Sequence, residues 1–267
     1  MRNYKIPTLT IAGSDCSGGA GIQADLKTFS AIGTYGMSVI TAITAQNTEG
    51  VFDVEELSKD IIKGQLKAVF EDIYPKGVKI GMVSSPEIIL EIAENLKKYN
   101  PEIVVVDPVM ISKSGYSLLR PEAKENLIKY LIPMAYLVTP NVPEAEEITG
   151  MKIETVEDMK KAGKKILDLG PKYVLVKGGH LDGDAVDVLM GEDIFEVFTS
   201  ERLDRKNTHG TGCTLSSAIT SHIALGYDVV EAVRRSKEYI TEAIRHSFDI
   251  GHGVGPVNHF YKFEGIE

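Results

Sequence analysis

A glycine-rich segment in the last quarter of the chain places a lone cysteine at the start of a predicted helix. The segment is Asn207-Thr208-His209-Gly210-Thr211-Gly212-Cys213-Thr214. Apolar residues recur at helical spacing after it, so a helix is predicted to begin near Gly212. Unpaired N–H groups and the helix dipole attract phosphate at such a terminus, and they can lower the pKa of a thiol there. The segment therefore predicts a phosphate site beside a reactive Cys213, with a tight turn and a core cysteine as alternatives.

The rest of the chain alternates short β-rich runs with longer helical patterns. The runs predicted as strands are 9–12, 39–44, 78–83, 103–109, 136–139, 173–177, 185–190 and 194–198. Consecutive apolar residues, as in Val104-Val105-Val106, indicate strands buried on both faces. The alternation predicts an α/β fold with a mostly parallel central sheet and helices on both faces. Neither a repeat nor a linker interrupts it, so residues 1–267 are predicted to form one domain.

Polar and glycine-bearing segments recur where the predicted strands end. In an open parallel sheet, ligands bind beyond the carboxyl ends of the strands. The segments expected at that edge are Gly13-Ser14-Asp15, Gln46-Asn47-Thr48, Gly81-Met82 within the third strand, Asp107-Pro108, 141–144 and Lys177-Gly178-Gly179-His180. Their clustering predicts one functional site at this edge of the sheet.

Composition narrows the possible partners of this site. The net charge of −9 disfavours nucleic acid, because binding to a phosphate backbone needs clustered lysine and arginine. The longest apolar stretch, residues 130–138, is too short to span a bilayer, and the first residues lack the apolar run of a signal peptide. Cys16 and Cys213 lack the spacing of a zinc site. We therefore expect a cytoplasmic protein that binds a small molecule, with no nucleic-acid or membrane partner.

Two common nucleotide-binding motifs do not account for the phosphate site. Gly19-Ala20-Gly21-Ile22-Gln23-Ala24 matches a dinucleotide fingerprint that follows a strand. The acidic residue that would contact the ribose is missing, since the second predicted strand leads into Ala45-Gln46-Asn47. The P-loop pattern is absent as well, because the first glycine-rich loop has no lysine. A dinucleotide oxidoreductase is therefore the least favoured alternative.

Four segments of the chain together carry a family pattern. They are residues 11–28, residues 138–145, Lys177-Gly178-Gly179-His180 and Gly210-Thr211-Gly212-Cys213. In this order they resemble the hydroxymethylpyrimidine and phosphomethylpyrimidine kinases of thiamine biosynthesis, which belong to the ribokinase-like superfamily. The similarity extends from Thr8 to Phe260. It implies a ribokinase-like fold, ATP and Mg²⁺ as cofactors, a homodimer, and ATP-dependent phosphorylation of hydroxymethylpyrimidine and then of its monophosphate.

The resemblance implies catalytic roles for the cysteine segment. Gly210, Thr211 and Gly212 correspond to the anion hole for the transferring phosphoryl group, where positioning and charge stabilisation provide most of the catalysis. Cys213 occupies the position at which many sugar kinases of the superfamily carry an aspartate base. Its thiolate is therefore expected to accept the proton of the substrate hydroxyl.

The resemblance also implies a nucleotide and metal site. Asn141 and Glu144 match the superfamily's Asn-x-x-Glu motif, whose glutamate helps to place Mg²⁺ near the nucleotide phosphates, and Asp107 is expected to assist at the metal. Lys177 lies at a predicted strand end beside two glycines, so it is expected to contact phosphate oxygens of ATP. From the residues alone, Asn141 and Glu144 indicate a helix cap and Lys177 indicates a solvated lysine.

Gln46 is the residue expected to select the substrate. An aminopyrimidine presents a ring-nitrogen acceptor beside an amino donor, and a glutamine amide offers the complementary pair. Relatives that act on pyridoxal tend to carry an apolar side chain at this position. By the same resemblance, Asp25 contacts polar groups of the substrate, and Gly13, Met82 and Val109 line its ring.

Two other functions stay open from the sequence. Pyridoxal kinase is the nearest, because the two activities overlap in such proteins, although Gln46 favours the pyrimidine. A nucleotide-binding regulator without turnover is the alternative from another class. The intact Gly-Thr-Gly-Cys segment, together with Asn141, Glu144 and Lys177, argues against a loss of catalysis.

Overall fold

A mixed β-sheet runs through the centre of the molecule. The computed structural model describes residues 5–110, 118–179 and 184–263, so His180 of the predicted lysine segment lies outside the described residues. Within these ranges the sheet has nine strands in the order β3-β2-β1-β4-β5-β6-β7-β8-β9. The strands are β1 (Pro7–Asp15), β2 (Tyr35–Gln46), β3 (Val51–Glu56), β4 (Gly77–Ile80), β5 (Val104–Val106), β6 (Leu137–Val138), β7 (Tyr173–Lys177), β8 (Ala185–Gly191) and β9 (Phe195–Ser200).

The sheet is mostly parallel, which confirms the prediction. Neighbouring strands from β2 to β7 in the sheet order are parallel, whereas β3 pairs antiparallel with β2 at one edge. Strands β8 and β9 complete the other edge with antiparallel pairings. Strand β3 is absent from the predicted set because acidic residues interrupt its short apolar pattern. Exposed, charged side chains of this kind are typical of an edge strand.

Helices connect the strands, and several begin at the capping residues that the sequence shows. The helices are α1 (Gly21–Ile32), α2 (Lys59–Asp72), α3 (Pro86–Tyr99), α4 (Pro121–Asn126), α5 (Val142–Thr149), α6 (Val156–Leu167), α7 (Thr211–Ala224) and α8 (Val229–Arg245). Ser85 caps α3 by accepting a hydrogen bond from the N–H of Ile88. Thr155 caps α6 in the same way, by accepting a hydrogen bond from the N–H of Asp158. Among the described residues, no helix is both long and apolar enough to cross a membrane.

The central strands are buried on both faces, as their apolar runs predict. Val104 and Val106 of β5 belong to a core shared with α2, α3 and α6, whereas Val105 between them belongs to a second core shared with α7 and α8. Strand β7 divides its residues in the same alternating way. Helices therefore cover both faces of the sheet, and its carboxyl edge is the place where polar loops can gather.

Two strands that were predicted to include site residues end before those residues. Strand β4 ends at Ile80, so Gly81 and Met82 follow the strand and do not lie within it. Glycine weakens a strand, and a Cβ at Gly81 would lie 2.6 Å from Lys79 Nζ. Strand β5 ends at Val106, because Pro108 cannot continue a central ladder. Both corrections move predicted site residues into loops at the carboxyl edge.

The segment after α8 folds back over this edge. The N–H of Val254 donates to the carbonyl of Thr48 at 2.8 Å. The imidazole of His259 is buried, and its Nε2 lies 3.0 Å from Thr214 Oγ1 on α7. The C-terminal segment thus ties the loop after β2 to the first turns of α7.

Buried His259 should make the protein less stable in mildly acidic solution. Burial lowers the pKa of His259 from 6.5 to about 4, and the charge of Lys27 acts in the same direction. The unfolded chain therefore takes up a proton before the folded chain does, so the free energy of unfolding falls as the pH drops through this window. We expect the free energy of unfolding of His259→Gln to fall less steeply in this window than that of the parent chain, by about 1.4 kcal/mol per pH unit. Urea unfolding near pH 7 and near pH 5 measures the difference, and equal losses would contradict it.

Candidate active site

A cavity of about 730 Å³ opens at the carboxyl edge of the parallel strands. This volume is in the range of small-molecule sites in proteins. The structure brings nearly all predicted site residues to its wall, namely Gly13, Gln46, Met82, Asp107, Val109, Asn141, Glu144, Lys177, Gly210, Thr211, Gly212 and Cys213. The roles expected of these residues in binding and catalysis stay predictions at this point.

Glycine shapes the loop before α7. Gly210 has a φ of 79°, a left-handed conformation that favours glycine. A Cβ at this position would lie 1.9 Å from the carbonyl oxygen of Gly19, so the two glycine-rich loops pack directly against each other. The helix begins at Thr211, close to the predicted start, and its first N–H groups have no intrahelical acceptor. The loop therefore has the backbone geometry that holds an anion.

An ion pair lies beside this loop. Lys177 Nζ is 2.8 Å from Asp107 Oδ1, and a Cβ at Gly212 would lie 3.6 Å from the same ammonium nitrogen. Burial disfavours a charged carboxylate, yet the ammonium groups of Lys177 and Lys79 keep the pKa of Asp107 below its ordinary value. Lys177 thus presents a positive charge next to the start of α7, where phosphate oxygens would be neutralised.

Asn141 and Glu144 form a capping box at the start of α5. The Asn141 side chain accepts from the N–H of Glu144 at 2.9 Å, and the Glu144 carboxylate accepts from the N–H of Asn141 at 2.8 Å. Burial and the nearby charge of Asp107 together raise the pKa of Glu144 to about 7, against the opposing effect of the Lys177 ammonium group. The helix-cap interpretation is therefore confirmed. The same carboxyl group also faces the cavity and is only partly ionised near neutral pH.

The thiol of Cys213 does not behave as its position predicts. Loss of water around the thiol raises the pKa of Cys213 to about 11. The positive charge of Lys79 and the N–H of Gly21 oppose this shift but do not cancel it. The prediction of a lowered pKa is wrong, because desolvation outweighs the helix terminus. A base role for Cys213 needs a further source of thiolate stabilisation.

Met82, Gln46 and Val109 line a further part of the cavity wall. Met82 follows β4, and its Sδ would lie 3.0 Å from a Cβ at Gly13. Gln46 is the last residue of β2, and its Oε1 lies 3.2 Å from Thr44 Oγ1. Val109 follows β5 and lines the same wall. Two apolar side chains and one amide in a cavity wall can hold a flat heterocyclic ring, because the apolar groups pack against the ring and the amide pairs with its polar edge.

The family to which the chain belongs follows from its sequence. Residues 15–258 match the phosphomethylpyrimidine kinase family. The chain belongs to that family. The hydroxymethylpyrimidine/phosphomethylpyrimidine kinase of Bacillus subtilis is 46% identical over 97% of this chain and 96% of its own length. The thiamine biosynthesis bifunctional protein ThiED of Geobacter sulfurreducens is 50% identical over 97% of this chain, which spans 53% of that longer protein.

Solved structures of relatives confirm the ribokinase-like α/β fold of this family member. A crystal structure of phosphomethylpyrimidine kinase from Clostridium difficile 630 is 74% identical in sequence, with a TM-score of 0.82, and covers 90% of this chain and 100% of its own. An ADP complex of Bacillus subtilis pyridoxal kinase is 42% identical, with a TM-score of 0.90 over 96% of this chain and 98% of its own.

Asp25 is the predicted substrate contact whose placement disagrees with the expectation. Its side chain is fully buried beneath the cavity wall. Lys79 Nζ donates to its two carboxylate oxygens at 2.9 Å and 2.8 Å, and the hydroxyls of Thr10 and Ser217 each donate to it at 2.6 Å. Because four hydrogen bonds already saturate the carboxylate, the predicted contact between Asp25 and the substrate does not fit this structure.

Sequence reasoning missed two lysines that line the cavity of this family member. Lys79 lies in the apolar strand β4 and is fully buried, and a lysine between Val78 and Ile80 was the signal available. Lys237 lies on α8 and donates to Asp187 at 2.6 Å. Its position on a helix face offered no comparable signal, because lysine on a helix is ordinarily solvated.

Proposed function

We propose that this chain transfers phosphoryl groups from ATP to hydroxymethylpyrimidine and then to its monophosphate, as part of thiamine biosynthesis. The observation that carries the proposal is the juxtaposition of two kinds of group in one cavity. The Gln46 amide can pair with an aminopyrimidine edge, and the start of α7 with Lys177 can neutralise phosphate. Family membership and the names of the full-length relatives support the same activity.

The nucleotide side of the cavity supports phosphoryl transfer by charge stabilisation. Lys177 and the first N–H groups of α7 surround the position at which a transferring phosphoryl group would gain negative charge. The ADP complex of a pyridoxal kinase with the same fold supports nucleotide binding in this family of structures. Asn141 supports this arrangement by fixing the start of α5 at the edge of the cavity.

Asp107 and Glu144 are the residues that would hold Mg²⁺. Their carboxylate oxygens are the ligands that Mg²⁺ prefers. Burial and, to a smaller extent, the charge of Asp107 raise the pKa of Glu144 to about 7, and a bound cation would favour its ionised form. No group of three or more metal-binding side chains occurs in the described ranges. Mg²⁺ bound through few side chains keeps water and phosphate ligands, and it would neutralise charge on the nucleotide phosphates.

Gln46→Met is expected to weaken recognition of the pyrimidine and to leave nucleotide binding nearly unchanged. The substitution keeps the length of the side chain and removes a hydrogen-bonded pair worth about 1–3 kcal/mol. We expect kcat/KM for hydroxymethylpyrimidine to fall accordingly, with a smaller loss for pyridoxal. Steady-state kinetics with both substrates and calorimetric titration with ADP measure the effect. Equal losses for the two substrates would mean that Gln46 supports the fold and does not recognise the ring.

Pyridoxal phosphorylation is the second candidate, because solved relatives with this fold are named pyridoxal kinases. ADP release from ATP with hydroxymethylpyrimidine, with pyridoxal and without acceptor distinguishes the two activities. We expect the pyrimidine to be the better substrate. A clear preference for pyridoxal would replace the proposed function, and absence of turnover with both would favour a regulatory protein. The homodimer implied by the resemblance stays a prediction.

A further inference from the structure

His209, which immediately precedes the anion-binding loop, contacts the residue proposed to recognise the substrate ring. His209 is buried, with 9% of its surface exposed. The Nε2 atom lies 2.8 Å from Asp15 Oδ2 and 3.2 Å from the amide nitrogen of Gln46. A Cβ at Gly19 would lie 2.3 Å from His209 Cδ2, so the first glycine-rich loop packs directly against one edge of the imidazole. His209 is therefore a fixed neighbour of Gln46.

The contacts of Asp15 decide which atom of His209 carries a proton. The Asp15 carboxylate accepts from the N–H groups of Ser17 and Ala20 at 2.9 Å and 2.8 Å and from the Ser17 hydroxyl at 2.7 Å. These donors stabilise the ionised carboxylate, and the ordinary pKa of an aspartate, 3.8, already lies far below neutral pH. An ionised carboxylate can only accept hydrogen bonds. His209 Nε2 is therefore protonated and donates to Asp15.

This proton fixes the amide of Gln46. A protonated His209 Nε2 cannot face the amide nitrogen of Gln46, because both atoms would be donors. Thr44 Oγ1 has one proton, which it donates to the carbonyl of Ser14 at 2.9 Å, so its lone pairs accept. A half-turn of the amide removes this conflict, because Nε2 then donates to Thr44 and Oε1 takes its place 3.2 Å from His209 Nε2. There Oε1 is the second, weaker acceptor of the one proton that His209 donates to Asp15 at 2.8 Å.

We infer that His209, held by Asp15, is a positioning residue that fixes the orientation of the Gln46 amide and thereby the way round in which the substrate ring binds. The inference rests on the proposed function. In the substrate, the amino group lies between a ring nitrogen and the carbon that bears the hydroxymethyl group. Because the donor and the acceptor of Gln46 have fixed positions, the ring can pair with both only when one particular face of the ring is turned toward the cavity wall. That orientation directs the hydroxymethyl group consistently toward one side of the cavity.

The test compares a variant that removes the donor with one that retains it. His209→Leu is similar in size and cannot donate, whereas His209→Gln places an amide N–H near the position of Nε2. Calorimetric titration measures Kd for hydroxymethylpyrimidine and for its analogue that lacks the amino group. We expect His209→Leu to weaken binding of the pyrimidine about tenfold and binding of the analogue less than about threefold. His209→Gln should recover most of the loss.

A double-variant cycle separates positioning from a structural role. In a Gln46→Met background, His209→Leu should change the ratio of the two Kd values by less than about twofold, because the amide it orients is gone. Kd for ADP is the control for the adjacent loop and should stay within about threefold of the parent value. Equal weakening of pyrimidine and analogue, no recovery in His209→Gln, or additive effects in the cycle would overturn the inference. If the parent chain neither binds nor phosphorylates the pyrimidine, the proposed function fails first.

Discussion

Replacing Cys213 by alanine is expected to slow formation of the monophosphate by a factor of about 10²–10⁴, as removal of a general base does. The second phosphorylation should lose much less. In the first step the nucleophile is a neutral hydroxyl that must give up a proton. In the second step it is a phosphate oxygen, which is largely ionised at neutral pH because its second pKa is about 6. A base at Cys213 has little to do there.

The high pKa of Cys213 adds a pH signature to this prediction. With a pKa of about 11, only a small fraction of the thiol is ionised near neutral pH. If the thiolate is the base, the rate of the first step should rise about tenfold per pH unit below that pKa, until another step limits turnover. The rise should disappear in Cys213→Ala. Rates measured from hydroxymethylpyrimidine and separately from its phosphate provide both comparisons.

Cys213→Ser is the matched control for this experiment. Serine retains the size and the hydrogen-bonding capacity of cysteine, but its hydroxyl is a far weaker acid than a thiol, so it cannot supply the anionic base. We expect Cys213→Ser to slow formation of the monophosphate as much as Cys213→Ala does. Parallel losses in both steps, or full activity of the serine variant, would assign Cys213 to packing and phosphate positioning at the start of α7.

Lys79→Met is expected to lower the free energy of unfolding by about 3–5 kcal/mol. Lys79 and Asp25 are both fully buried, and Lys79 Nζ lies 2.8 Å from Asp25 Oδ2. The substitution therefore leaves a carboxylate in the interior without its cation. Burial of an unpaired charge is among the most destabilising changes in a protein core. Urea unfolding at neutral pH measures the loss.

The double variant Lys79→Met with Asp25→Asn is the control for charge. It removes both charges. The Thr10 and Ser217 hydroxyls donate to different carboxylate oxygens of Asp25, each at 2.6 Å, so the asparagine oxygen can accept from one of them and the asparagine NH2 can donate to the other. We expect the double variant to be more stable than Lys79→Met alone, because no charge is left unpaired. A double variant that is equally unstable, or a single variant that loses less than about 1 kcal/mol, would contradict the prediction.

The sequence predicts the framework of this protein well because its signals are local. Three consecutive valines at residues 104–106 indicate a doubly buried strand, and the rule that ligands bind at carboxyl ends brings Gln46, Asp107 and Lys177 to one cavity. Strand β3 was not predicted, because an exposed edge strand needs no apolar pattern. Fold and placement of the site therefore follow from pattern and topology.

The electrostatics of the site could not be predicted, because they depend on residues far apart in the chain. Asp25 is saturated by Thr10, Lys79 and Ser217, which come from β1, β4 and α7. The pKa of Cys213 is set chiefly by burial, and no local pattern measures burial at a helix terminus. Such contacts appear only when the sheet brings its strands together.

Phosphorus NMR of the purified chain with ATP, Mg²⁺ and hydroxymethylpyrimidine tests the proposed activity most directly. We predict that a pyrimidine monophosphate appears first, that it is then consumed as the pyrimidine diphosphate forms, and that ADP accumulates in both steps. The same chain supplied with the monophosphate should yield the diphosphate without delay. Hydrolysis of ATP with no phosphorylated pyrimidine, or a monophosphate that persists in excess ATP, would contradict the proposed two-step kinase.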